Sequence, residues 1–163
     1  MFGAVAAAPS GGGSSVDYEE VTQNGVTYNV YSEHAEVASV DTSKASVAIL
    51  DKVGGKNVTV IAENAFNGCA DLTSVTIPAT VKTIEASAFW GCSKLAEITI
   101  PETVTTINKD AFKKCTALKT VKGVKGSAAE TFAKANNLTF EEIGGTVTPP
   151  VEEKLGKPTN VAI

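Results

Sequence analysis

Between residues 58 and 122 one pattern of about 23 residues is written nearly three times, and this restricts the fold more than any other feature of the chain. The pattern is V-x-x-I-x-x-x-A-F-x-x-C-x-x-L-x-x-[IV]-x-[IV]-P. Val58, Ile61, Ala65, Phe66, Cys69, Leu72, Val75, Ile77 and Pro78 form the first copy. Val81, Ile84, Ala88, Phe89, Cys92, Leu95, Ile98, Ile100 and Pro101 form the second. Val104, Ile107, Ala111, Phe112, Cys115, Leu118 and Val121 form the third, which ends in Gly123 and Val124 instead of I-P. Self-similarity at this period means stacked repeats, because one such unit cannot bury its own apolar face.

Within the unit, Asn64, Ser87 and Asp110 stand in one column directly before Ala-Phe. All three suit the N-cap of a starting helix. The following A-F-x-x-C fits about one helical turn, with Phe and Cys on one face. The segment L-x-x-[IV]-x-[IV] alternates and is β-branched, which predicts a short strand that the proline ends. A second extended piece, T-V-K-T-I or T-V-T-T-I, leads to the next copy. Stacking at about 4.8 Å predicts a continuous ladder of Phe66, Phe89 and Phe112, and a second of Leu72, Leu95 and Leu118.

The A-F-x-x-C-x-x-L-x-x-[IV]-x-[IV]-P signature resembles the BspA-type leucine-rich repeat of bacterial surface proteins. The resemblance covers residues 58–122 and extends upstream through 25–56 and downstream to Ile143. It implies an α+β repeat solenoid: a short right-handed leucine-rich-repeat coil with a β-rich N-terminal cap and a helix–strand C-terminal cap.

The flanks supply candidates for those caps. Residues 1–16 are small, apolar or Gly/Ser-rich and read as a disordered leader. Ala4-Val5-Ala6 fits a processing site, yet a charged n-region is missing, so the tail of a secretory signal and a leader added for expression are both open. Residues 17–143 form the repeat domain, with 17–57 as the N-cap, 58–122 as the repeats and 123–143 as the C-cap. Asn24-Gly25 between Tyr18–Gln23 and Val26–Tyr31 predicts a tight hairpin. Glu36–Val40 and Ser46–Leu50 read as strands, and Gly54-Gly55-Lys56-Asn57 as a turn. Ser127-Ala128-Ala129-Glu130 fits a capping box opening a helix from Ala128 to Ala135. Asn136-Asn137 suits its left-handed end, and Leu138–Glu142 reads as a last strand. Residues 144–163, with Gly144-Gly145 and Pro149-Pro150, read as a linker to a missing domain.

Candidate chemistry is sparse. Cys69, Cys92 and Cys115 recur at the repeat period on an inward column, without the close pairing of a zinc site, and read as buried free thiols. His34 is the single histidine, which excludes a His-based metal cluster. No nucleophile elbow, P-loop or H-E-x-x-H occurs. Glu63, Asp71, Glu85, Glu97, Glu102 and Asp110 are scattered and read as solvated charge. No cofactor is expected. A net charge of −4 argues against nucleic-acid binding, and no apolar run is long enough for a membrane span. The resemblance implies a bacterial source, in which the sequons at Asn57 and Asn137 are incidental.

Two surfaces remain. Trp90 follows Phe89 where the other copies carry Asn67 and Lys113, so it faces outward, as an interface anchor or as a cover on its own repeat. The outward strand positions form the columns Ser74, Glu97, Thr120 and Thr76, Thr99, Lys122. These suit a broad protein or glycan contact, or plain solubility. The expected function is a non-enzymatic, secreted or cell-surface binding module. The resemblance implies adhesion to host or neighbour-cell surface proteins or glycans. The alternatives are a structural spacer displaying neighbouring domains and a non-catalytic accessory of a surface hydrolase.

Overall fold

The computed structural model describes residues 17–144. The leader at 1–16 and the linker from Gly145 onward lie outside the described residues. Asn24 and Gly25 take φ of +55° and +84°, the two consecutive left-handed residues that a two-residue hairpin requires. They join β1 (Glu19–Gln23) to β2 (Val26–Val30), with Gln23 opposite Val26. β3 (Ala35–Val40) pairs antiparallel with β2. β4 (Ser46–Ala48) follows, and Gly54-Gly55 then turns β5 (Lys52–Val53) into β6 (Lys56–Ile61). Tyr28 is fully buried, and its hydroxyl accepts the Leu50 N–H at 3.0 Å. Burial pushes the phenol above its ordinary range.

The repeats then contribute β7 (Ser74–Thr76), β8 (Thr83–Ile84), β9 (Glu97–Thr99), β10 (Thr106–Ile107) and β11 (Thr120–Gly123). α1 (Ala128–Ala135) and β12 (Thr139–Glu142) complete a β-solenoid of about five turns, with a single helix among the described residues. One parallel column runs β3-β6-β8-β10, and β1 and β2 extend it into a seven-stranded sheet that also takes in β5. A second column is hydrogen-bonded in two pieces, β4-β7 and β9-β11-β12. No strand pairing joins β7 to β9.

Between the columns lies the apolar core. Phe66 stacks on Phe89 with ring centroids 4.5 Å apart, and Phe89 on Phe112 at 4.7 Å. Phe132 of α1 tilts against Phe112 at 5.2 Å and closes the ladder. The Leu72, Leu95, Leu118 column is buried, as are all three cysteines.

The turn side departs from the one-turn helix that the sequence suggests. Its bonds run from residue i+3 back to residue i: Asn67 N–H to Asn64 O, Cys69 N–H to Phe66 O, Leu72 N–H to Cys69 O. Alternate amides are given to the next coil instead: Phe66 N–H to Ala88 O at 2.6 Å, Gly68 N–H to Trp90 O at 2.9 Å, Phe89 N–H to Ala111 O at 2.8 Å and Gly91 N–H to Lys113 O at 3.0 Å. An amide cannot serve both an α-helix and a neighbouring coil, so the segment becomes a string of tight turns. The predicted N-cap column fails for the same reason. Asn64 and Ser87 take φ of +64° and +56°, whereas an N-cap has extended backbone. Asp110 instead donates its own N–H to Asn108 Oδ1 and pairs with Lys109 and Lys113.

A further left-handed column holds Gly68 (φ +83°), Gly91 (φ +76°) and, in the third copy, Lys114 (φ +67°). A side chain there is strained by about 1 kcal/mol. Lys114→Gly is therefore expected to stabilise the protein by about 0.5–1 kcal/mol, read as a raised urea midpoint with unchanged slope. A lowered midpoint would show that the Lys114 side chain compensates for its backbone.

α1 spans the predicted residues, but its start differs from a capping box. Ser127 Oγ donates to Val124 O at 2.6 Å and makes no cap bond, while Glu130 Oε2 accepts the Gly126 N–H at 2.9 Å. The end is a Schellman turn: Asn137 is left-handed (φ +58°), Leu138 N–H reaches Ala133 O at 2.8 Å and Asn137 N–H reaches Lys134 O at 3.3 Å. Ala129, Phe132 and Ala133 are buried. Gly123 stands where earlier copies place Ile77 and Ile100, and a Cβ on it would meet the Ala129 Cβ at 2.6 Å. The helix occupies the space that the isoleucine fills elsewhere, which is the steric reason the third copy ends differently.

Candidate functional site

Strand alternation decides which side chains the second column shows. Val75, Ile98 and Val121 turn inward and are buried. Ser74, Thr76, Glu97 and Thr99 are exposed, while Thr120 and Lys122 are half-buried. The register brings these positions together as the sequence predicts within β9-β11: Glu97 faces Thr120, and Thr99 faces Lys122. Ser74 and Thr76 lie on the other ladder, where they face Ser46 and Ala48 of β4. β12 adds Thr139 beside Thr120 and Glu141 beside Lys122. Ser46, Ala48, Thr139 and Glu141 thus join a surface that sequence reasoning confined to the repeats. Their signal was present: S-V-A and T-F-E share the alternation of S-V-T and T-V-K.

The surface divides electrostatically at the gap between β7 and β9. On one side Ser46, Ala48, Ser74 and Thr76 are small and uncharged. On the other, Lys122 Nζ lies 2.7 Å from Glu97 Oε1 and 3.4 Å from Glu141 Oε1, a line of three charges across three strands. The Glu97 and Glu141 carboxylates hold the Lys122 ammonium above its ordinary range.

Trp90 is half-buried on the turn side, between exposed Asn67 and Lys113. Its backbone is bonded both ways, N–H to Ser87 O at 3.0 Å and O from Gly68 N–H at 2.9 Å. It stands on a different side of the coil from the strand columns, so the structure does not merge the two candidate surfaces into one.

The remaining candidates have structural surroundings. Cys69, Cys92 and Cys115 are free and buried. Cys92 Sγ donates to Phe66 O at 3.3 Å and Cys115 Sγ to Phe89 O at 2.9 Å, so each thiol ties its coil to the one before. The neighbouring Cys115 thiol and burial push Cys92 upward, and burial does the same for Cys69. For Cys92 and Cys69 this is the reverse of what a nucleophilic thiolate needs, whereas the bond to Cys92 lowers the buried Cys115 thiol. His34 stacks on Tyr31 at 4.9 Å. Burial and the adjacent Glu36 carboxylate push the Tyr31 phenol up to about 12. Asp71 pairs with Lys94 at 2.9 Å. The carboxyls of Asp41, Asp110 and Glu130 are held low, chiefly by the Ser43 N–H, by Lys109 and by the Gly126 N–H respectively. A general acid at neutral pH needs the opposite shift. Among the described residues no group of three His, Cys, Asp or Glu side chains could hold a metal ion. No helix among them is long and apolar enough to cross a membrane.

A groove of about 530 Å³ lies between β10 and α1. Val104, Ile107 and Phe132 give it an apolar floor, Ser127 and Thr131 add hydroxyls, and Glu102 and Lys109 also line it.

A family model for the BspA-type leucine-rich repeat region matches residues 49–149, in six copies. Among solved structures, the chain is similar to a leucine-rich repeat protein from Eubacterium ventriosum, with 29% identity and a TM-score of 0.56 over 69% of this chain. It is likewise similar to a leucine-rich repeat protein from Bacteroides ovatus, with 30% identity and a TM-score of 0.54 over 78% of this chain. This chain covers 29% of the first of those proteins and 37% of the second. A leucine-rich repeat protein from Bacteroides capillosus shares the fold at 24% identity and a TM-score of 0.50, over 64% of this chain and 97% of that one. No curated protein matches the chain.

Proposed function

Because the chain belongs to the BspA-type leucine-rich repeat family, we propose that it is a non-catalytic protein-interaction module, secreted or displayed on a bacterial surface. The observation that carries this reading is the outward face of the second column. It runs over β4, β7, β9, β11 and β12, with side chains in register along each hydrogen-bonded ladder. A repeated, exposed face on a packed scaffold is the form in which solenoids present binding surfaces. The partner class is a host or neighbour-cell surface protein or glycan. The β1–β3 sheet and the α1–β12 unit serve as caps over the apolar cross-section. Trp90 forms a second contact ridge on the turn side.

The test is a binding screen of the protein against extracellular-matrix proteins and glycans, with Trp90→Ala and Lys122→Glu run in parallel. A saturable partner weakened by about tenfold or more in Lys122→Glu places the contact on the strand face. Loss in Trp90→Ala alone moves it to the turn side. Failure to bind any partner, with both variants folded, sinks the interaction reading and leaves a spacer.

A further inference from the structure

We propose that copies of this chain associate head to tail, β1 of one copy docking beside β10 in the groove against α1 of the next. Three observations lead there. First, the seven-stranded sheet has two free edges among the described residues, β1 at one end and β10 at the other. Inside the solenoid, Lys82 O accepts from Thr105 N–H at 2.9 Å and Ile84 O from Asn108 N–H at 2.9 Å. The equivalent carbonyls one coil later belong to Thr105 and Ile107. There α1 takes the place of a following strand, and the groove opens between. A strand edge with open carbonyls beside apolar side chains is a template for another strand.

Second, the strand direction fits. β1 is antiparallel to β2, and β2 to β3, so β1 runs the same way as β3, β6, β8 and β10. A copy translated along the solenoid axis therefore offers β1 to β10 in parallel, the pairing already used throughout this column.

Third, the charge is divided along the axis. Residues 17–100 carry eleven Asp and Glu against five Lys, whereas residues 101–144 carry five against seven. At the two edges, Glu19 and Glu20 are exposed on β1, while Lys109, which pairs with Asp110 at 2.9 Å, lines the groove with Glu102, and Lys125 stands next to it at Gly126. Like ends repel and unlike ends attract, which selects head-to-tail over head-to-head contact. Such an interface joins two different surfaces, so the series stays open unless the rotation closes it.

Sedimentation of the full chain over a concentration series tests this. The expected result is a mass that climbs past two copies, with affinity reduced about tenfold from about 50 to about 500 mM salt. Glu19→Lys/Glu20→Lys should be monomeric alone, as should Lys109→Glu/Lys125→Glu. Mixing the two should restore association, because each reversed end then meets its opposite. Thr131→Arg, on an exposed helix position, should abolish it by filling the groove, with an unchanged thermal melt as the folding control. A monomer at every concentration overturns the proposal. So does association that stops at two copies and ignores both Thr131→Arg and the charge reversals. A monomer in which Thr131→Arg shifts the amide resonances of residues 145–163 gives the groove to the chain's own tail and also overturns it.

Discussion

Phe89→Ala should lower the unfolding free energy by about 3–5 kcal/mol, the largest effect expected of any single truncation in the repeats. Phe89 is fully buried, with Phe66 4.5 Å away on one side and Phe112 4.7 Å away on the other. Backbone bonds tie the coils on both sides to this one, Phe66 N–H to Ala88 O and Phe89 N–H to Ala111 O, so neither coil moves easily into the space left behind. Cost rises with the cavity that fails to collapse. Phe112→Ala should cost less, because Phe112 is 7% exposed and its neighbour Phe132 sits on a helix instead of a bonded coil. Urea unfolding of the two variants beside the parent checks both values. A loss below about 1 kcal/mol for Phe89→Ala would mean that the coils slide together to fill the gap, and the rigidity inferred from the bonds between coils would be wrong.

Gly123→Ile should destabilise the protein even though it restores the residue that the first two copies carry at that position. Overpacking of this kind costs about 1–3 kcal/mol, and the upper end applies when backbone must move. The first atom of the new side chain already lies 2.6 Å from the Ala129 Cβ, 3.3 Å from Ile100 O and 3.4 Å from Phe140 Cε1. Relief requires α1 or β12 to shift away from β11. Hydrogen exchange is the sharper measurement: protection should fall across residues 128–142 and stay unchanged in residues 58–100. A stabilised Gly123→Ile protein would show that α1 packs loosely enough to yield, and that the steric account of the altered third copy is mistaken.

The sequence made the repeat side of this molecule legible because its signals are collective. Phe66, Phe89 and Phe112 recur at one spacing, and only a stack satisfies all three together. The hairpin at Asn24-Gly25 was legible for a different reason, since its left-handed backbone is demanded by local geometry alone. The helical reading of A-F-x-x-C failed because the competition for the Phe66, Gly68, Phe89 and Gly91 amides is settled by a neighbouring coil, which no window of sequence contains. The capping box at Ser127 failed by one residue: Glu130 reached the Gly126 amide, and the serine hydroxyl turned back to Val124 O. The outward columns were readable within the repeats. Their extension to Ser46, Ala48, Thr139 and Glu141 shares the same alternation but depended on a register with elements outside the 23-residue repeat, which alternation alone does not give. The ion line Glu97–Lys122–Glu141 was hidden for that reason, because Glu141 becomes a neighbour of Lys122 only when β12 pairs with β11.

The bonds between successive turn segments fix the rise of the solenoid on both of its sides. Strands in a ladder advance about 4.8 Å per rung. The phenylalanines beside the turns advance 4.5 and 4.7 Å. A solenoid whose outer side were built of helices would need wider spacing there than at its strands, and the mismatch would bend it into an arch. Equal rise at the turns and at the strands removes that wedge between successive coils. If the outward strand face is the binding surface, a partner lying along it gains affinity with each rung it engages, much as a ruler is read by length.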